Sequence, residues 1–176
     1  NPIRDAAREA MATPYAPPSP EGALNLLVFG GSQGASVFSR LVPEAVEALP
    51  EPLRARLSLT QQARPDEVDG LAARYEAAGI RAEVAPFFLD MPARIAAAQL
   101  VVARAGASSV AELTAIGRPS ILVPYPSAMD DHQTANAAPL AAAGGAIAAP
   151  EAGLTATSLS GHIAAVLADP DRAATM

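Results

Sequence analysis

The sequence contains no cysteine, no tryptophan and no lysine, and only 4% of its 176 residues are aromatic. Without cysteine there is no thiolate nucleophile, no disulfide and no thiolate zinc site, and without lysine there is neither a Schiff base nor a Walker-type ammonium group. The two histidines, His132 and His162, match no familiar metal-ligand spacing. We therefore expect no metal and no cofactor, and the charge of a phosphate ligand has to be met by arginine or backbone N–H groups.

Charge and hydropathy narrow the range of partners. The net charge of −6 and the pI near 4.8 argue against a nucleic-acid partner, which would require a basic surface. The longest uncharged stretch, residues 133–150, is too short and too interrupted by proline and glycine to span a bilayer. The start of the sequence shows no signal peptide, and the lack of cysteine fits a reducing compartment, so we expect a cytoplasmic location.

The first 20 residues differ from the rest of the chain. Helical spacing over residues 4–11 gives way to the proline-rich stretch YAPPSP at 15–20, which cannot continue a helix. We predict a leading segment and link over residues 1–20, where we expect disorder, and one domain over residues 21–176.

The remainder alternates between strand and helix patterns. Several strands are continuously apolar, as in LVVA at 100–103, which indicates burial on both faces of a parallel sheet. The sequence therefore predicts a doubly wound, Rossmann-like α/β fold of about six strands in the usual order 3-2-1-4-5-6. The predicted strands are 24–29, 57–61, 81–85, 100–103, 120–123 and 145–149. The predicted helices are 35–49, 65–78, 91–98, 108–116, 133–143 and 156–167.

Two glycine-containing turns follow the first and the fourth predicted strand: GGSQG at 30–34 and RAGASS at 104–109. In the expected strand order these strands are neighbours at the point where the order reverses, which is where such sheets bind ligands. Backbone N–H groups and helix N-termini at both turns would face one crevice and bind phosphates, so we predict a nucleotide diphosphate ligand. The first turn lacks the GxGxxG spacing, which argues against NAD.

Two further motifs have both a structural and a functional interpretation. Ser109 and Glu112 form a Ser-x-x-Glu pattern that could be a helix capping box, or Glu112 could accept hydrogen bonds from two ribose hydroxyls. Asp130 or Asp131 could start a helix as an N-cap. Alternatively, the side-chain amides of Gln133 and Asn136, which are three residues apart and share a face of that helix, could bind sugar hydroxyls.

Five motifs, in order along nearly the whole chain, resemble the C-terminal half of the MurG family, GlcNAc transferases of peptidoglycan synthesis with the two-domain GT-B fold. They are NPIR at 1–4, GGSQGA at 30–35, FFLDM at 87–91, RAGASSVAE at 104–112 and HQTANA at 132–137. The resemblance implies a domain that binds UDP-GlcNAc, while the family's other domain binds the lipid I acceptor, supplies the catalytic base and contacts the membrane.

The resemblance also implies roles for individual residues. Arg4, Ser32 and Gln33 would lie at the diphosphate, the backbone at Phe88 would bind the uracil edge, and Glu112 would bind the ribose. The family commonly has an aliphatic residue where this chain has Phe88, although a main-chain contact would survive that change. The segment of Ala107, Ser108, Ser109, Val110 and Ala111 would line the helix N-terminus near the phosphates, and His132, Gln133 and Asn136 would face the GlcNAc hydroxyls.

The reaction implied by the resemblance is an inverting, metal-independent transfer of GlcNAc from UDP to lipid I, giving lipid II at the cytoplasmic side of the inner membrane. We find no convincing general base in the sequence, so we expect this chain alone to bind the donor without turnover. Two alternatives remain: another GT-B sugar-nucleotide enzyme such as a UDP-GlcNAc epimerase, and a nucleotide-binding module without chemistry.

Overall fold

Six short segments form one parallel sheet in a computed structural model that describes residues 5–31, 36–126 and 131–176. The sheet has the order β3-β2-β1-β4-β5-β6, which confirms the predicted doubly wound α/β topology. The strands are β1 (Leu24–Phe29), β2 (Leu57–Gln62), β3 (Arg81–Ala85), β4 (Leu100–Ala103), β5 (Ser120–Leu122) and β6 (Ala146–Ala148).

Helices connect the strands on both sides of the sheet, close to the predicted positions. Two short helices, Glu51–Arg54 and Pro170–Thr175, were not predicted. The helices are α1 (Asp5–Ala10), α2 (Ser36–Glu47), α3 (Glu51–Arg54), α4 (Val68–Ala77), α5 (Met91–Ala97), α6 (Ala107–Ile116), α7 (His132–Ala142), α8 (Ala156–Leu167) and α9 (Pro170–Thr175).

The core consists of two layers, one on each face of the sheet. Alternate residues of the central strands point to opposite layers, so that Val28 and Val102 pack in one and Leu27 and Val101 in the other. All four side chains of β4 are buried, as its continuous apolar sequence predicted.

The first and fourth strands are hydrogen-bonded neighbours, and they end side by side. Phe29 pairs with Ala103 in the register, and the N–H of Arg104 donates to the carbonyl of Phe29 at 3.4 Å. The two glycine turns therefore begin at adjacent points of the same sheet edge.

The described part of the leading segment packs against the body, which contradicts the expectation of disorder there. The buried guanidinium of Arg118 donates to the carbonyl of Thr13 at 2.8 Å, and the hydroxyl of Tyr15 donates to the carbonyl of Gln99 at 2.8 Å. The Gln99 amide in turn donates to the carbonyl of Ala16 at 3.2 Å. These contacts are tertiary, so the local composition of a proline-rich link could not indicate them.

Within the described ranges, no helix combines the length and the apolar character that a membrane span requires.

Candidate functional site

Two adjoining cavities open at the carboxyl ends of β1 and β4. One, of about 340 Å³, lies between the two glycine turns, and the other, of about 190 Å³, extends from them toward the loop after β3. Both are lined by Gly31, Ser108 and Ser109. Arg104, Ala107 and Gln133 also line the first, and Gln62, Phe88 and Glu112 are among the residues that line the second. The predicted crevice therefore exists, and six of the predicted site residues line it.

The N-terminus of α6 forms one wall of this crevice. Gly106 is its N-cap, in an extended conformation and without a side-chain cap, so Ser109 is the third residue of the helix. The capping-box interpretation of Ser109 and Glu112 is therefore wrong, since the helix begins three residues earlier than that pattern requires. Glu112 instead lies in the second turn with its side chain only 6% exposed, in the wall of the smaller cavity.

The first glycine turn is tied to the loop after β3 by a single side chain. Gly31 adopts φ +68°, a left-handed conformation that favours glycine. Its N–H donates to Oε1 of Gln62 at 3.2 Å, and Nε2 of Gln62 donates to the carbonyl of Pro86 at 3.1 Å. This role of Gln62 could not be predicted from the sequence, because both partners are distant along the chain.

The amides at the start of α7 share a face, as their spacing predicted, and both bind loop backbone. Oε1 of Gln133 accepts from the N–H of Tyr125 at 2.9 Å, and Nδ2 of Asn136 donates to the carbonyl of Ala105 at 3.0 Å. Gln133 also reaches the larger cavity. These two side chains therefore fix the loops after β4 and β5 relative to α7.

Helix α7 does not begin with an aspartate side-chain cap. Asp131 occupies the N-cap position with φ 51° and makes no capping hydrogen bond. Its carboxylate accepts instead from the hydroxyl of Thr134 at 2.6 Å. Asp131 is therefore the N-cap residue, as one of the alternatives predicted, but its side chain does not cap the helix, and Asp130 lies outside the described residues.

Arg104 connects the ends of three strands below the cavity. Its side chain is buried and forms an ion pair with Glu151, after β6, at 2.7 Å. Its Nη1 donates to the carbonyls of Val123 and Pro124, after β5, at 3.2 Å each. Because a buried cation requires such partners, Arg104 holds the loops around the cavity in place.

Some predicted site residues do not line the two cavities, and others lie outside the residues that the structure describes. Val110 packs against the core, and Ala111, His132 and Asn136 are not among the residues that line the two cavities. Arg4, Ser32 and Gln33 fall outside the described residues. Their contacts with a ligand stay predictions. The described residues contain no cluster of three or more histidine, cysteine, aspartate or glutamate side chains suited to a metal ion.

A larger cavity, of about 440 Å³, lies between α1 and α5. Half of its ten lining residues are alanine, and the acidic residues Glu9 and Asp90 also line it. Apolar walls and negative charge do not suit a phosphate ligand, so size alone does not identify the site.

Residues 25–176 match the family described as the glycosyltransferase family 28 C-terminal domain. The chain is 52% identical to a protein of Chelativorans sp. (strain BNC1) and 54% identical to one of Rhodospirillum centenum (strain ATCC 51521 / SW). Both are named UDP-N-acetylglucosamine--N-acetylmuramyl-(pentapeptide) pyrophosphoryl-undecaprenol N-acetylglucosamine transferase. The matches cover 100% and 97% of this chain but 47% and 45% of those proteins, so the chain spans about half the length of the curated relatives it matches.

Solved structures agree with the sequence matches. MurG of Acinetobacter baumannii has a TM-score of 0.78 at 32% identity, over 88% of this chain and 46% of that one. WaaG, a glycosyltransferase of lipopolysaccharide biosynthesis, shares the fold with a TM-score of 0.66 at 22% identity, over 98% of this chain and 44% of that one. The resemblance that the five motifs indicated is confirmed, and the fold is that of one half of a GT-B glycosyltransferase.

Proposed function

This chain belongs to the family of glycosyltransferase family 28 C-terminal domains, and on that premise we propose that it binds UDP-GlcNAc in the crevice between its two glycine turns. The observation that carries the proposal is the adjacency of those turns, with Ser108, Ser109 and Glu112 lining the cavities between them. We assign residues 21–176 to the donor-binding domain and residues 1–20 to the link that leads into it.

The proposed pose follows from the chemistry of the walls. The diphosphate lies at the N-terminus of α6, where backbone N–H groups and the helix dipole favour negative charge. The buried carboxylate of Glu112 accepts hydrogen bonds from the two ribose hydroxyls, and the backbone at Phe88 binds the edge of the uracil. Gln133 lines the cavity between the two glycine turns, and in this pose it faces the sugar.

The same groups serve the proposed transfer. As the bond between GlcNAc and UDP breaks, negative charge grows on the leaving diphosphate. Oriented N–H groups at a helix N-terminus stabilise that charge without having to reorganise. The site thus assists departure of UDP, and we propose that the proton of the acceptor hydroxyl is taken by a group outside this chain.

The whole-protein activity that we propose is transfer of GlcNAc to undecaprenyl-diphospho-N-acetylmuramoyl-pentapeptide, lipid I, to give lipid II. The names of the relatives support this acceptor. We further propose that the protein acts peripherally at the cytoplasmic face of the inner membrane, with lipid I and the membrane contacted by a part of the protein other than this chain. UDP release that depends on a lipid I analogue would support the transferase, and epimerisation without acceptor would contradict it.

Ribose recognition by Glu112 provides the direct test on this chain. Titration calorimetry with UDP and with 2′-deoxy-UDP should show that the unmodified chain prefers the ribonucleotide. Glu112→Ala should weaken UDP binding by roughly 10- to 150-fold, since it removes charge-assisted hydrogen bonds worth about 1.5–3 kcal/mol. It should also abolish the preference for the ribonucleotide.

A matched control separates this effect from general damage to the fold. Glu47→Ala removes a carboxylate that binds Arg74 on α4, away from the crevice, and should leave both affinities unchanged. Equal preference for UDP over 2′-deoxy-UDP in the unmodified chain and in Glu112→Ala would contradict the assignment.

A further inference from the structure

The loop of residues 86–90, between β3 and α5, carries the backbone that we propose reads the uracil. Its three central side chains alternate in exposure: Phe87 is 67% exposed, Phe88 is 5% exposed and Leu89 is 93% exposed. Only the ring of Phe88 anchors the middle of the loop to the body. The position of the uracil-binding backbone therefore depends on what holds that ring.

Arg94, on α5, holds the ring and both ends of the loop. Its guanidinium carbon lies 4.3 Å from the centroid of the Phe88 ring. Nη1 and Nη2 donate to the carboxylate of Glu83 on β3 at 2.6 and 3.1 Å, and Nε donates to Oδ1 of Asp90 at 2.7 Å. One side chain thus contacts the strand before the loop, the ring in its middle and its last residue.

The charges in this cluster reinforce one another. The hydrogen bonds that Arg94 donates to Glu83 and Asp90 raise the pKa of Arg94, and the bond that Asp90 accepts lowers the pKa of Asp90. A single exposed ion pair contributes little, but a planar fork that binds two carboxylates and stacks on an aromatic ring fixes geometry as well.

We propose that Arg94 is a positioning residue for nucleobase recognition, which holds the loop so that the backbone at Phe88 meets the edge of uracil. The inference rests on the proposed function, because it concerns the same nucleotide site. Uracil presents an acceptor at O4 and a donor at N3, whereas cytosine presents the opposite pattern at both atoms. A backbone N–H and carbonyl held in place therefore select uracil, and the selection weakens when the loop moves, since hydrogen bonds depend steeply on distance and angle.

The test compares UDP with CDP in titration calorimetry on the 176-residue chain. Arg94→Met keeps an apolar stem over the ring but removes the fork, and Arg94→Lys keeps the charge alone. We expect Arg94→Met to weaken UDP binding by about fivefold, which is the effect expected from loss of one exposed charge network. The affinity for CDP should change little, so the preference for UDP over CDP should fall. Arg94→Lys should fall between Arg94→Met and the unmodified chain.

Arg74→Met is the matched control, since Arg74 binds Glu47 through the same kind of two-pronged contact, at 2.8 and 3.0 Å, between α4 and α2. It should leave the affinity for UDP and the ratio of UDP to CDP affinity unchanged. If the unmodified chain selects UDP and Arg94→Met does so equally well, the positioning role is overturned while the proposed function stands. If the unmodified chain binds no UDP, the proposed function is overturned and this inference with it.

Discussion

Replacing Arg118 by methionine should lower the free energy of unfolding more than any change to a surface arginine. The guanidinium of Arg118 is buried and donates five hydrogen bonds of 2.8–3.0 Å to the carbonyls of Ala96, Ile116, Gly117 and Thr13. Three of these carbonyls belong to the C-terminal ends of α5 and α6, where helices leave carbonyl groups unsatisfied and carry partial negative charge. The fourth belongs to the leading segment. Arg118 thus joins two helix ends to the link.

Two opposing effects set how much the free energy of unfolding falls in Arg118→Met. Hydrogen bonds to a charged group contribute about 1.5–3 kcal/mol each, but burial of an uncompensated cation opposes them, because desolvation alone costs several kcal/mol. That same desolvation lowers the pKa of Arg118. Methionine retains the apolar stem and removes both effects. We expect a net loss of about 2–3 kcal/mol, which corresponds to a fall in Tm of about 5–10 °C for a chain of this size.

Urea denaturation measures this difference, and limited digestion with chymotrypsin gives a local readout. Cleavage after Tyr15 should accelerate in Arg118→Met, because the link loses its main attachment. Arg118→Lys should be intermediate, since an ammonium group has fewer donors and no planar fork. Arg74→Met, which breaks an exposed pair, should cost less than about 1 kcal/mol. A loss below about 0.5 kcal/mol in Arg118→Met, with unchanged cleavage at Tyr15, would refute the reasoning, because so small a value is typical of surface substitutions.

Two further predictions concern side-chain amides. Gln62→Leu removes the bridge between Gly31 and Pro86, and should weaken UDP binding by about fivefold, as expected for hydrogen bonds of about 1 kcal/mol; an affinity in calorimetry equal to that of the unmodified chain would contradict it. In the core, the hydroxyl of Tyr75 donates to Oε1 of the fully buried Gln61, whose Nε2 has no hydrogen-bond partner within the described ranges. Tyr75→Phe should therefore cost about 1–3 kcal/mol in urea denaturation, and adding Gln61→Leu should recover most of it, because removing both partners of a buried hydrogen bond is nearly neutral. A double variant as unstable as the sum of the two single variants would exclude this coupling.

The sheet could be predicted from the sequence because strand and helix patterns alternate along the chain, and the central strands β1 and β4 are short, largely apolar runs that lead into glycine turns. The strands 24–29, 81–85 and 100–103 were predicted with the observed bounds, and the strand order followed from the strand and helix alternation. Helices α3 and α9 were missed since each is short and contains a proline near its start. For α9 a signal existed: Asp169 before Pro170 is a typical N-cap followed by proline at the first helical position.

The site was predictable only in part, because motifs mark the residues of a turn but not what holds the turn in place. Ser108, Ser109 and Glu112 were found from the motif after β4, and the structure brings them to the crevice. Gln62 and Arg94 were not found, since their contacts join segments that are separate in the sequence. The capping-box interpretation of Ser109 and Glu112 failed because Gly106 allows α6 to begin earlier. Pattern spacing alone could not decide that boundary.

A crystal structure of the chain with UDP-GlcNAc tests the central claim most directly. We predict the diphosphate between Gly31 and the N-terminus of α6, the ribose at Glu112 and the uracil at the backbone of Phe88. A donor bound in the cavity between α1 and α5, or anywhere away from the carboxyl ends of β1 and β4, would contradict the claim.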